Sequence, residues 1–187
     1  MNNGKGVIIH FNVDELINRN SELIYATRPI MEGIYSMVSG SGFVIFLTDK
    51  DGHIIEVIGD KDRMGRVEEL NFLKGELWSE KVVGTNAIGT ALYLNKSVQM
   101  IGAEHYGINR HSWTCSATPI YDNLIGCINM SGNYYNAHSH TMGIVTAAAQ
   151  SIQKQMDLLN SYKLLNITFD SISEGMIVIN ENKEYKW

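Results

Sequence analysis

The sequence predicts an α+β fold in which an antiparallel sheet is flanked by N-terminal and C-terminal helices. Apolar residues recur with a helical period in two segments, 13–38 and 137–163. Between them lie two pairs of β-rich runs, each pair joined by a short polar turn, which is typical of antiparallel hairpins. The 187 residues suffice for one domain with a sizeable core and a tail.

Composition and charge exclude several classes of function. A net charge of −5 disfavours nucleic acid as a direct partner, because phosphate backbones attract basic surfaces. Apolar runs such as Phe43–Leu47 and Ile144–Ala149 are far too short to span a bilayer. The polar segment Met1–Gly6 lacks the apolar stretch of a secretory signal. We therefore expect a cytoplasmic protein without a membrane segment, whose Cys115 and Cys127 are free thiols.

The first helical pattern, residues 13–38, predicts a long amphipathic helix. Asn12 is suited to cap its N-terminus, and Glu15 follows at the spacing of a capping box. Pro29 has no N–H for the backbone ladder, so it should bend or split the helix. Gly40-Ser41-Gly42 should end it.

A β-hairpin follows the first helix. Gly42–Asp49 and His53–Ile58 are β-rich, and Lys50-Asp51-Gly52 joins them as a turn in which glycine permits positive φ. The next segments are predicted as a short helix or loop at 59–71, a short helix at Gly84–Leu94, a strand at Ser97–Ile101 and a loop or single helical turn at Ala103–Arg110.

A second hairpin completes the predicted sheet. It pairs His111–Tyr121 with Leu124–Ser131 around the turn Asp122-Asn123. Counted outward from this turn, Cys115 and Cys127 are not opposite each other, so no disulfide is expected between them.

The second helical pattern, residues 137–163, has apolar residues in alternating steps of three and four, as in a coiled-coil seam. They are Met142, Val145, Ala149, Ile152, Met156 and Leu159. We expect the first half to pack on the sheet and residues 149–163 to pair with a second copy in a roughly parallel homodimer.

Residues 164–187 do not continue the apolar spacing of the second helical pattern. Leu164–Ile172 predicts a helix, Gly175–Ile179 a strand and Glu181-Asn182 a turn. So short a segment cannot bury a core of its own, so it is either the opening of a second domain or a tail docked on the first.

Five motifs carry a resemblance to a known family. They are Leu47–Gly52, Trp78-Ser79-Glu80, Gly84–Leu92, Gly102–Tyr106 and Trp113–Ile120. They resemble the N-terminal GAF domain of bacterial sigma-54-dependent activators, and most closely the regulators of acetoin-catabolism and dihydroxyacetone-kinase operons. The resemblance implies a GAF-like sensor domain at 12–160, after an N-terminal segment at 1–11. Residues 161–187 are then a linker helix and the truncated start of a domain that resembles PAS.

The same resemblance implies domains that this sequence does not contain. In such activators an ATPase remodels sigma-54 RNA polymerase and a helix-turn-helix binds DNA. The sequence has neither the GxxxxGK[ST] loop that cradles phosphates nor a basic recognition helix. We expect those activities to belong to sequence outside these 187 residues.

A GAF pocket lies between one face of the sheet and the connecting helices and loops, and small-molecule sites combine apolar walls with a few polar groups. The candidate ligand-binding residues are Trp78, Thr85, Asn86, Thr90, His105, Trp113 and Cys115. The alternative is that the tryptophans belong to the core and that Asn86 caps a helix.

No catalytic residue, metal or cofactor is predicted. Glu104-His105, His111 and Cys115 do not have the spacing of a known set of metal ligands. A methionine-sulfoxide reductase, which also uses a GAF fold, needs several cysteines that cycle through disulfides, and this chain has two.

The sequence therefore predicts a sensor in which a small-molecule effector biases the conformation and the C-terminal helix relays it. The alternative is a protein-interaction module without a small-molecule ligand, controlled by a metabolic enzyme subunit. A pocket filled by large side chains would favour the second.

Overall fold

A five-stranded antiparallel sheet organises the chain in this computed structural model. The structure describes residues 7–8, 12–60, 65, 72–121, 124–171, 178–179 and 185–186. The chain divides into two units, Met1–Gln155 and Met156–Trp187.

The described strands are β1 (Val7–Ile8), β2 (Val44–Asp49), β3 (Ile54–Gly59), β4 (Glu76–Leu77), β5 (Val98–Ile101), β6 (Trp113–Ile120), β7 (Gly126–Asn133), β8 (Val178–Ile179) and β9 (Tyr185–Lys186). The described helices are α1 (Val13–Arg19), α2 (Ser21–Val38), α3 (Glu80–Val83), α4 (Ala87–Leu94) and α5 (Ser139–Ser171). Short 3-10 turns lie at Gly102–Glu104, Ile108–Arg110 and Tyr134–Asn136.

The sheet has the strand order β3-β2-β7-β6-β5, and all neighbours are antiparallel. Separately, β1 pairs with β4, and β8 pairs with β9. The predicted α+β class, an antiparallel sheet with helices at both ends, is confirmed.

Both predicted hairpins form. Gly52 adopts a φ of +94° in the first turn, as expected for a position that favours glycine. In the second hairpin Cys115 lies opposite Ser131 and Cys127 opposite Pro119, so the offset of the two cysteines is confirmed and both are free, buried thiols. The predicted turn at 122–123, most of 59–71, the 181–182 turn and 172–177 at the PAS-like start lie outside the described residues.

The two faces of the sheet bury different sets of side chains. One face, here called the cavity face, carries Phe46, Cys115 and Ala117 in a core shared with Trp78 and with the side chains of α4. The other face packs against helices: Thr118 of β6 lies 3.3 Å, Oγ1 to Oγ1, from Thr146 of α5. The part of α5 around Thr146 therefore lies opposite the cavity face.

The first helix breaks at Asn20 and not at Pro29. Asn20 donates from its side chain to the carbonyl of Leu16 at 2.9 Å and so occupies an acceptor at the end of α1. Pro29 lies on the exposed side of α2, where water can reach the carbonyl that proline leaves without a donor. The predicted cap is confirmed: Asn12 accepts the amide of Asp14 at 3.1 Å.

The second long helix, α5, ends eight residues later than predicted. It is continuous with the segment 164–171, for which a separate helix was predicted at 164–172. Its buried side chains are Thr141, Val145, Ala148, Ala149 and Ile152. Beyond Ile152 the helix exposes several apolar residues, Leu158, Tyr162, Leu165 and Phe169 among them. A search of the described residues finds no helix with the length and apolarity that a bilayer crossing demands.

Candidate functional site

A small cavity lies on the cavity face, where the strands meet the N-terminal end of α4. The lining residues are Phe72, Trp78, Asn86, Ala87, Ile88, His105, Arg110, Cys115 and Asn129. The cavity volume open to the centre of a water molecule is about 10 Å³. This is roughly enough for one water molecule. The cavity is therefore narrow.

Stacked aromatic side chains form one wall. The ring of Phe72 lies parallel to Trp78, with centroids 3.6 Å apart, and Phe72 also lies 6.2 Å from Trp113. The guanidinium carbon of Arg110 lies 5.1 Å from the Trp78 ring centroid, within the range of a cation–π contact. This wall fixes the position of the arginine head group.

Asn86 positions the start of α4. Its Oδ1 accepts the amide of Gly89 at 2.9 Å, and its Nδ2 donates to the carbonyls of Trp78 at 3.2 Å and Gly84 at 2.9 Å. The interpretation of Asn86 as a helix cap is confirmed. Because the amide hydrogens and oxygen are used in this way, Asn86 contributes mainly shape to the cavity.

His105 presents a nitrogen without a protein partner. Its Nδ1 lies 3.0 Å from the carbonyl of Gly102, and a carbonyl can only accept, so Nδ1 carries the proton. Burial is the main reason that the pKa of His105 lies below its usual value, so the neutral ring is favoured. Nε2 is therefore a buried acceptor, with no hydrogen-bond partner among the described residues.

Arg110 is the most unusual group in the cavity. Arg110 is only 1 % exposed, and its Nη2 donates a hydrogen bond to the carbonyl of Val83 at 3.0 Å. Nε and Nη1 have no partner in the described part of the chain. Gly107 makes room for it, because a Cβ there would lie 2.8 Å from Nη2. Burial lowers the pKa of Arg110, but a guanidinium remains protonated in proteins.

A chain of hydrogen bonds links Asn129 to Cys115. Asn129 donates from Nδ2 to Ser131 Oγ at 2.8 Å, and Ser131 donates to Cys115 Sγ at 3.1 Å. The Oδ1 of Asn129 has no partner among the described residues. Burial raises the pKa of Cys115 to about 11, although Ser131 and Arg110 act in the opposite direction. The thiol is therefore protonated near neutral pH and is not an activated nucleophile.

The structure brings four of the seven predicted site residues to the cavity. Trp78, Asn86, His105 and Cys115 line it. Trp113 lies behind Phe72 in the aromatic core, and Thr85 and Thr90 do not line the cavity.

Sequence reasoning missed Phe72, Arg110 and Asn129. Strand register is the signal that identifies Asn129. This residue lies opposite Phe46 and Ala117, so its side chain points to the cavity face. Arg110 gives no such signal, because an arginine in a polar loop is usually exposed.

A second cluster of polar side chains lies at the first hairpin turn. Atoms of Asp49, Asp51 and His53 that could bind a metal lie within 4.8 Å of one another. Asp49 Oδ1 accepts the amides of Asp51 and His53, and its Oδ2 lies 3.3 Å from His53 Nδ1 and 3.6 Å from Arg19. These contacts explain the cluster as the support of the turn.

Comparison with known proteins gives a family. The sequence profile described as "MimR, N-terminal domain" matches residues 11–154. The chain is 38 % identical over 180 residues to a "Signal-transduction and transcriptional-control protein" of Clostridium beijerinckii, covering 91 % of this chain and 28 % of that protein. It is 32 % identical over 171 residues to the "Acetoin dehydrogenase operon transcriptional activator AcoR" of Bacillus subtilis (strain 168), covering 85 % of this chain and 28 % of that protein.

A solved structure has the same fold. The chain matches a chain of the E. coli DhaR(N)–DhaL complex with a TM-score of 0.81 and 18 % identity, covering 98 % of this chain and 66 % of that one. The structural neighbours are GAF-like domains, so the expected fold is confirmed. The chain thus spans a little over a quarter of the two curated relatives, both of them regulators. The profile match, the identities and the shared fold together place the chain in the MimR N-terminal domain family, a family of regulatory sensor domains of transcriptional activators.

Proposed function

We propose that this chain is the signal-sensing domain of a cytoplasmic sigma-54-dependent activator and that it binds a small metabolite in the cavity beside α4. The length of the relatives supports further domains beyond these residues. In this proposal the ATPase and DNA-binding domains, which engage RNA polymerase and DNA, belong to those further domains, and a PAS-like domain begins near residue 172.

The observation that carries the proposal is a group of buried polar atoms without protein partners. His105 Nε2, Arg110 Nε and Nη1, and Asn129 Oδ1 are unpaired among the described residues, and all three side chains line the cavity. Buried polar groups in native proteins are nearly always paired, so such a convergence is typical of a binding site.

Ligand binding and conformational change are coupled in this proposal. A metabolite of several heavy atoms needs more room than one water, so Phe72 or the loop that carries Arg110 must move as it binds. A ligand shifts a conformational equilibrium only by the difference in its affinity for the two states. We assign the relay to β6, which carries Cys115 on the cavity face and Thr118 against α5.

A thermal-shift screen of small fermentation metabolites tests ligand binding. A compound that binds only the folded state raises Tm. His105→Ala and Asn129→Ala should reduce the shift, whereas the matched control Met37→Ala, an exposed side chain on α2, should preserve it. An equal shift in all three variants would place the compound elsewhere.

The second candidate function is a protein-interaction module controlled by an enzyme subunit. The small volume of the cavity favours it, and the structural relative was solved in complex with a second protein, DhaL. Binding of a purified enzyme subunit, combined with no thermal shift from any metabolite, would replace the first proposal with this one.

A further inference from the structure

We infer that the ligand is a small hydroxycarboxylate whose carboxylate binds Arg110 and whose hydroxyl donates to His105 or Asn129. This inference rests on the proposed ligand-binding function and names the chemical class of the ligand.

The charge of Arg110 is not balanced by the protein. No carboxylate lies within ion-pair distance of it among the described residues, and its neighbour Cys115 is a neutral thiol near neutral pH. The cation–π contact with Trp78 and the bond to Val83 offset only part of the desolvation cost. One water could pair with Nε and Nη1, but a neutral molecule leaves the charge uncompensated. A carboxylate supplies both the acceptors and the charge.

The start of α4 adds a second feature that favours an anion. Ala87 and Ile88, the first two residues of this eight-residue helix, line the cavity. The first amides of a helix lack backbone partners, and the helix dipole places partial positive charge there. The positive end of the helix dipole thus lies beside the cavity that Arg110 also lines, and none of the described lining residues is acidic.

The remaining polar groups specify what else the ligand carries. His105 Nε2 and Asn129 Oδ1 are both acceptors, so they require a donor, and a hydroxyl supplies one. Phosphate is disfavoured by its charge of about −1.5 to −2 near neutral pH, because Arg110 is the one cation among the described lining residues. Aromatic and aliphatic walls surround the rest, which limits the ligand to a short carbon chain.

Matched ligand pairs test the inference on the full 187-residue chain by calorimetry at constant ionic strength. Lactate and 2-hydroxyisobutyrate are compared with lactamide, propane-1,2-diol and inorganic phosphate. We expect the two carboxylates to bind at least about tenfold more tightly than the neutral compounds and phosphate. Arg110→Met should abolish this preference, Arg110→Lys should retain part of it, and the control Arg28→Met, at an exposed arginine, should leave it unchanged.

A measurement on the unaltered protein guards against variants that fail to fold. The Arg110 Nε–H resonance should shift on addition of lactate and remain in place with lactamide. Preferential binding of the neutral compounds or of phosphate, or carboxylate binding that Arg110→Met leaves intact, would overturn the inference while the proposed pocket stands. If no compound binds and an enzyme subunit does, the proposed function itself fails.

Discussion

At the residue scale, Asp49 shows how one carboxylate supports both a turn and its neighbours. It is 2 % exposed and accepts two backbone amides of the turn. Burial on its own raises the pKa of Asp49, but the hydrogen bonds and the proximity of His53, together with the Asp51 amide, outweigh it, so the pKa lies below its usual value.

This lowered pKa predicts a loss of stability in acid. The contribution is complete above the unfolded-state pKa, about 3.9, and is lost as pH falls through the lower folded-state pKa. We expect the free energy of unfolding, measured by urea titration, to fall more steeply below about pH 4 in the wild type than in Asp49→Asn. The variant should be less stable by about 1–3 kcal/mol at neutral pH. Parallel pH profiles for the two proteins would contradict this assignment.

Asn86 permits a test that separates capping from the rest of its role. Asn86→Asp keeps a good capping acceptor, but it turns a carboxylate oxygen toward the carbonyls of Trp78 and Gly84, to which the amide now donates. We expect Asn86→Asp to lose at least as much stability as Asn86→Ala, about 1–3 kcal/mol, in chemical unfolding. If aspartate preserves wild-type stability, capping alone explains the residue.

At the element scale, periodicity and turn chemistry predicted the sheet well. The glycine turn at Gly52 and the β-rich runs on either side depend on local sequence, so both hairpins could be placed. The position of the break in the first helix could not be predicted in this way. It depends on which side of α2 faces water, because Pro29 is tolerated on an exposed face. Trp78 and His105 reached the cavity as expected, whereas Arg110 depends on a loop path that no local pattern encodes.

The predicted dimer seam on α5 also depended on information that the local sequence pattern does not contain. Ala149 and Ile152 were predicted, together with Met156 and Leu159, to face a second copy. Ala149 and Ile152 are buried within the protomer, and Met156 and Leu159 are half-buried. The helix nevertheless exposes Leu158, Tyr162, Leu165 and Phe169, which follow one another in steps of four, three and four residues. We therefore keep the homodimer as a proposal and move its seam to these positions.

Paired substitutions in α5 test the revised seam. Leu158→Glu with Leu165→Glu would place like charges along it and should convert a dimer to a monomer in ultracentrifugation, with the circular dichroism spectrum retained. Asn160→Glu, on the opposite side of the helical repeat, is the matched control and should remain dimeric. A wild-type protein that is monomeric at high concentration would remove the seam.

At the scale of the whole molecule, the first unit contains every buried core residue that the structure describes. These residues range from Leu16 to Ile152. A chain shortened to end at Gln155 should therefore unfold cooperatively with a Tm within a few degrees of the full chain, measured by calorimetry, and should lose self-association. A large drop in Tm would mean that the residues after 155 stabilise the first unit.

The unpaired groups around the cavity have a consequence for the lifetime of the protein in a cell. Each buried polar group that lacks a partner costs about 1–3 kcal/mol, a large share of a typical stability of about 5–15 kcal/mol. A protomer without effector would unfold more often than one that holds it, and proteases degrade chains from the unfolded population. Under the proposed function, the effector therefore sets how many copies of the protein accumulate, so that a cell lacking the signal would also hold less of this chain.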